Sequence, residues 1–106
     1  MELILHRTTI CQSSTDGYLT INGFRVCDTA ERTSVMLATG SYKLLRKHQC
    51  FIHGNGVCTL KKPQIIVGER RCHGLVIHSR ETYNRLYERI KKAFVRKEVV
   101  TLVVME

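Results

Sequence analysis

The sequence predicts an α+β domain, a small β-rich fold. Its strands are short and mostly antiparallel, they open with an N-terminal β-hairpin, and one C-terminal amphipathic helix precedes a final strand. Three observations carry that expectation. Tyr18-Leu19-Thr20-Ile21-Asn22-Gly23-Phe24-Arg25-Val26-Cys27 alternates on both sides of Asn-Gly, a pair that accepts the positive φ angles of a two-residue hairpin turn. Between Arg80 and Lys97 the apolar residues recur with the helical period. Elsewhere, short β-favouring runs are punctuated by Gly, Asn, Pro or charged residues.

Met1–Arg7 alternates well enough for a first strand. Ser13, Ser14 and Thr15 with Asp16-Gly17 read as a polar turn. In the hairpin, the simplest register sets Ile21 opposite Phe24 and Leu19 opposite Val26 as the core face. Tyr18, Thr20, Arg25 and Cys27 then fall on the other face. Ser41–Leu45, Cys50–His53, Gln64–Val67 and Leu75–Ile77 are the next strands. Val99–Met105 closes the chain, apolar enough to lose strict alternation. For the helix, Ser79 is the expected N-cap, and Glu81 sits in the first turn. Lys91, Lys92, Arg96 and Lys97 crowd the end that the helix dipole makes favourable for cations. Tyr83, Leu86, Tyr87, Ile90, Ala93 and Phe94 share one face and should pack on the sheet.

A length of 106 residues suits one domain spanning 1–106. It buries roughly 60–65% of the unfolded surface. An apolar fraction of 43% with 25% charged residues excludes a disordered chain. No apolar run approaches the ~20 residues of a membrane span. The opening Met1-Glu2-Leu3-Ile4-Leu5-His6-Arg7 has no basic segment followed by a long apolar one, so a cytoplasmic location is expected. A mature form that has lost its leader, or one exported non-classically, would look the same.

The net charge of +8 is unevenly spread. Residues 1–40 carry three basic and four acidic side chains, net −1, and residues 41–106 carry fourteen and five, net +9. The C-terminal part would favour a polyanion such as nucleic acid, an anionic membrane surface or cell-wall polymer; the bland alternative is a charge that serves solubility. The five cysteines, Cys11, Cys27, Cys50, Cys58 and Cys72, are odd in number and lack a framework spacing, so reduced thiols are expected. Cys27, in an alternating strand, reads as a core or edge residue and not a reactive one.

Three constellations could carry chemistry. Arg85, Arg89, Lys92 and Arg96 fall within about 60° of one helix face and could follow a phosphate backbone. Against this, Glu81 and Glu88 stand four residues before Arg85 and Lys92, the order for surface ion pairs, and no stacking aromatic interrupts the stripe. Cys50, His53 and Cys58, with Cys72 or His73, are zinc-ligand types. They lack paired Cys-x-x-Cys spacing, and residues three apart on a strand face oppositely, so no metal and no cofactor is expected. A thiol nucleophile needs an adjacent base, for which His53 with Cys58, or His73 beside Cys72, are the local options.

Several segments, in order, resemble a small bacterial and phage domain family that is itself distantly similar to L,D-transpeptidases of the YkuD type. They are Leu19-Thr20-Ile21-Asn22-Gly23, Cys27-Asp28-Thr29-Ala30-Glu31, Ala38-Thr39-Gly40-Ser41-Tyr42-Lys43, Ile52-His53-Gly54-Asn55, Ile65-Ile66-Val67-Gly68 and Ser79-Arg80-Glu81-Thr82-Tyr83-Asn84-Arg85-Leu86-Tyr87. The resemblance implies a histidine-glycine upstream of a Gly-Cys whose thiolate attacks a peptide carbonyl of peptidoglycan. His53-Gly54 matches the first half. Aligning Ile65–Gly68 with the segment after the Gly-Cys puts Pro63 and Gln64 where glycine and cysteine belong. Glutamine cannot form a thioester, and proline removes a backbone N–H.

The expectation is therefore a non-catalytic, transpeptidase-like domain. It would bind an anionic or peptidoglycan-like partner through His53, Gly54, Asn55 and Gln64 with the basic surface Arg85, Arg89, Lys92 and Arg96. The alternatives are a basic nucleic-acid-binding module, or a cysteine acyl-transferase or peptidase using Cys58 and His53.

Overall fold

The computed structural model describes residues 1–44, 52–53 and 63–106, with His53 described through its backbone. The strands are β1 (Glu2–Ile10), β2 (Ser14–Ile21), β3 (Phe24–Arg32), β4 (Gly40–Leu44), β5 (Ile52–His53), β6 (Ile65–Cys72), β7 (Leu75–Ile77) and β8 (Val100–Met105). A 3-10 turn covers Thr33–Val35, and helix α1 (Ser79–Val95) separates β7 from β8. Seven strands run in the order β4-β8-β1-β2-β3-β6-β5, and β7 pairs with β6 beside them. The pairs β1–β8 and β5–β6 are parallel and the rest antiparallel. This is the expected α+β class, mostly antiparallel, with one helix and a final strand.

Alternation decides which face is buried. Leu3 and Leu5 of β1 stand beside Leu102 and Val104 of β8, and opposite Ile21 and Leu19 of β2. All six are buried, and Ile65 and Val67 of β6 join them. Leu86, Ile90 and Ala93 close this core from α1. Each such side chain contributes apolar burial whose loss on truncation to alanine costs roughly 2–5 kcal/mol for a leucine.

Several local expectations are corrected. Asn22 and Gly23 do turn with φ of 49° and 89°, but a bulge follows. Leu19 pairs with Cys27 and Thr20 with Arg25, leaving Val26 as the extra residue. Phe24, expected in the core, opens β3 opposite Ile21 but is 76% exposed. Of the polar turn expected over Ser13–Gly17, Ser14–Gly17 are instead the start of β2. Gly17 is required there because a Cβ would lie 2.5 Å from the His6 carbonyl oxygen. β8 does keep strict alternation, with Val100, Leu102 and Val104 buried, because only one of its faces packs into the core.

Ser79 is the first helical residue and not the cap. His78 takes the preceding position with φ 56° and makes no side-chain cap, since the chain leaves β7 and must turn sharply into α1. At the other end, Lys97 N–H donates to the Phe94 carbonyl (3.0 Å) and Glu98 N–H to the Ala93 carbonyl (2.9 Å), a Schellman closure around left-handed Lys97.

The far end of the core face holds an ion pair. Arg7 Nε donates to Glu31 Oε1 (3.0 Å) and Nη2 to Glu31 Oε2 (2.8 Å), with both side chains almost fully buried. Nη2 also donates to the Leu37 carbonyl (2.6 Å), tying the chain after β3 to the sheet. Burial disfavours the charged guanidinium, yet the Glu31 bonds and charge, aided by Glu106, outweigh this and raise the Arg7 pKa. Glu31→Ala is expected to lower unfolding free energy by about 3–5 kcal/mol in urea titration, by stranding the buried guanidinium. The double substitution Arg7→Met, Glu31→Leu is expected to recover most of that loss in the same measurement.

Candidate functional site

The site grows from the two halves of β6. Ile66, Val67 and Gly68 continue the main sheet beside Ala30, Thr29 and Asp28 of β3, whereas Glu69, Arg70 and Cys72 pair with β7. Gly68 lies tight at the junction: a Cβ there would meet the Ile77 carbonyl oxygen at 2.5 Å. Gly74, with φ 79°, makes the β6–β7 turn with His73.

Asp16 of β2 receives this hairpin. Its Oδ2 accepts from His73 Nδ1 at 2.6 Å, and its Oδ1 accepts the Gly74 N–H at 2.9 Å. Arg70 Nη1 lies 3.0 Å from Oδ1. The other Arg70 donors reach the strands directly: Nη2 donates to the carbonyls of Gly17 and Thr29, and the backbone N–H donates to Asp28 Oδ2 at 2.7 Å. A buried carboxylate is thus matched by an imidazole N–H, a peptide N–H and a guanidinium, as burial of a charge requires.

The outer edge of His73 meets a hydroxyl. Its Nε2 is 3.2 Å from Ser14 Oγ, and the ring is 43% exposed. Ser14 sits against Gly74, where a Cβ would approach the serine oxygen to 2.8 Å. Ser14 and Gly74 both line a cavity of about 490 Å³, whose wall includes Ala30, Arg32, Ile66 and Val76. Ile66 points away from the core face formed by Ile65 and Val67, so the cavity and α1 lie on opposite faces of the sheet.

The residues expected from the sequence are distributed differently. The parallel β5–β6 register sets Ile52 beside Ile65 and the His53 backbone beside Ile66. Gln64 precedes β6 by one residue and is buried. Gly54, Asn55 and Cys58, like Cys50, lie outside the described residues. Arg85, Arg89 and Lys92 on α1 and Arg96 at its C-terminal cap are all exposed. Among the described residues, the anticipated Glu81–Arg85 and Glu88–Lys92 pairs do not form, whereas Arg96 lies 3.8 Å from Glu98. The helix stripe therefore cannot share one small ligand with the cavity across the sheet.

Cysteine and metal chemistry gain no partner among the described residues. Cys11, Cys27 and Cys72 are free thiols, and no group of three His, Cys, Asp or Glu side chains there could hold a metal ion. Cys72 and His73 do sit at a turn, but the His73 ring is engaged by Asp16 and Ser14. No helix among the described residues is long and apolar enough to cross a membrane. On the cavity's side of the sheet, Tyr18 is covered twice: the His6 ring stacks at 4.6 Å and the Arg25 guanidinium lies 4.4 Å from its centroid. That leaves no open tyrosine face for a nucleic-acid base.

Sequence reasoning took Ser14 and Asp16 for turn residues and weighed His73 only as a zinc ligand or as a base for Cys72, so the three were never joined. Ser14 and Asp16 carry a faint signal, being two apart in a segment flanked by strands, but His73 is more than fifty residues away and nothing local joins them. Comparison of the chain with protein-family models, curated proteins and solved structures finds no match.

Two titrations follow from neighbouring groups. Burial, and then the Asp28 charge, push the half-buried Cys27 thiol up to about 12. Iodoacetamide at neutral pH, followed by peptide mapping, is expected to modify Cys27 far more slowly than exposed Cys11 and Cys72. For Asp28, burial opposes ionisation, but the Arg25 and Arg70 bonds and charges outweigh it and hold the carboxyl below its ordinary range. Its ionised form therefore contributes stability above the unfolded pKa of ~3.9, and that contribution is lost as pH falls through the lower folded value. Arg25→Met is expected to raise the Asp28 midpoint in a carboxyl-carbon NMR titration.

Proposed function

We propose that this chain is a recognition domain related to L,D-transpeptidases, holding an anionic, peptidoglycan-like polymer without the thiol chemistry of that family. The observation that carries the reading is Gln64. It is buried immediately before β6, and the parallel β5–β6 register brings the His53 backbone beside Ile66, two residues further on. The backbone of His53 on β5 and Gln64 just before β6 thus lie near one another, which supports the reading. An amide at that position donates and accepts hydrogen bonds but forms no acyl-enzyme.

Charge supports the same partner class. The net +9 of residues 41–106 favours a polyanion, and the exposed cations Arg85, Arg89 and Lys92 of α1, with Arg96 at its cap, offer it a second, separate contact. A nucleic-acid partner would use that stripe too, but the covered rings of Tyr18 speak against base stacking on the sheet.

Co-sedimentation with purified sacculi tests the reading. Saturable binding is expected, weakening as salt rises from 50 to about 300 mM in the manner of a polyanion contact. Gln64→Ala is expected to lower retention of a soluble muropeptide several-fold, and Arg89→Glu with Arg96→Glu to weaken sacculus binding while leaving muropeptide retention intact. Absence of sedimentation at low salt, or an acyl-thioester on Cys58 after incubation with a muropeptide, would overturn it.

A further inference from the structure

The geometry points to Ser14, His73 and Asp16 as an acyl-transfer relay at the mouth of the 490 Å³ cavity, with Ser14 as nucleophile toward short-chain esters. The inference is independent of transpeptidase ancestry, since none of the three residues belongs to the motifs that carry that resemblance.

The tautomer follows from the bonding. The Asp16 carboxylate can only accept, so His73 Nδ1 carries the proton across the 2.6 Å contact. In the neutral ring Nε2 is then left as an acceptor, and the hydroxyl 3.2 Å away, Ser14 Oγ, is its donor. Asp16 cannot swing away, because the Gly74 N–H and Arg70 hold its other oxygen. This order of roles, carboxylate to Nδ1 and Nε2 to hydroxyl, is what orients and deprotonates a serine nucleophile. A purely structural tie would need the Asp16 bonds alone. It would not need a serine on the far nitrogen, at a cavity wall.

The cavity supplies the remaining parts. Ala30, Ile66 and Val76 give an apolar seat for a short acyl chain, and Arg32 and Ser34 are donors in the same lining for the developing oxyanion. In the first step the Ser14 Oγ–acyl carbon bond forms, the ester C–O bond breaks, and the hydroxyl proton passes through Nε2 to the leaving alcohol. Water then repeats the sequence, its proton returning through Nε2 to Ser14 Oγ as the acid is released. The net reaction is ester plus water to acid plus alcohol. Ser14 and His73 are the catalytic residues, and Asp16 is a positioning residue acting through the imidazole.

The test uses the full chain with phenylmethanesulfonyl fluoride, followed by intact mass and peptide mapping. A single sulfonyl adduct on Ser14 is expected, with fluoride released, together with turnover of p-nitrophenyl acetate. Ser14→Ala should abolish both while circular dichroism and melting temperature stay near those of the parent. His73→Gln should slow labelling by about 100-fold or more, the usual worth of a general base. Asp16→Asn should turn the pH profile of labelling from a plateau into a rise with hydroxide, a change that loss of a structural tie does not produce. No adduct on the folded parent, or a Ser14 adduct that forms equally fast in folded His73→Gln, would overturn the relay.

Discussion

One buried carboxylate organises the outer face of this protein. Asp16 lies inside β2, where an unmatched negative charge would be strongly unfavourable, and every group matching it comes from the β6–β7 hairpin. The dependence is mutual. The hairpin turn has Gly74 with a positive φ, and its short β7 offers little apolar area of its own. Asp16 gives it three anchors, and Arg70 adds two strand carbonyls and Asp28. Where the hairpin is held, the cavity wall follows, and so does the abrupt left-handed turn at His78 that launches the helix.

The two faces of the sheet then divide the labour. One is apolar and closed by the helix, with the Arg7–Glu31 pair at its far end in place of more hydrocarbon. Such a pair contributes little net stability over a well-packed apolar alternative, but it is costly to break singly, and through Leu37 it also fixes where the chain goes after β3. The other face is polar and carries the Asp16 hub, the His6–Tyr18–Arg25 stack and the cavity. The basic helix stripe lies beyond the core, away from all three.

The resemblance and the relay draw on different residues. His53 comes from β5 and Gln64 from just before β6, while Ser14 and Asp16 come from β2 and His73 from the hairpin. Ile66 links them, standing beside the His53 backbone and also in the cavity wall. A fold with a buried amide just before β6 thus also presents a hydroxyl, an imidazole and a carboxylate in line nearby.

What the sequence by itself determined is what depends on neighbours along the chain. Asn22-Gly23 names its turn because those two residues tolerate positive φ, and the Leu86, Ile90 and Ala93 spacing names the buried side of the helix because 3.6 residues make a turn. The strand class, helix α1 and the final strand were legible for the same reason. The bulge at Val26, the exposure of Phe24, the strand character of Asp16-Gly17 and the cap at His78 were decided only by packing against distant segments. The meeting of Ser14 with His73 belongs there too. Polar residues inside a strand read as a turn until something far away supplies their hydrogen bonds, and that supplier has no local signature.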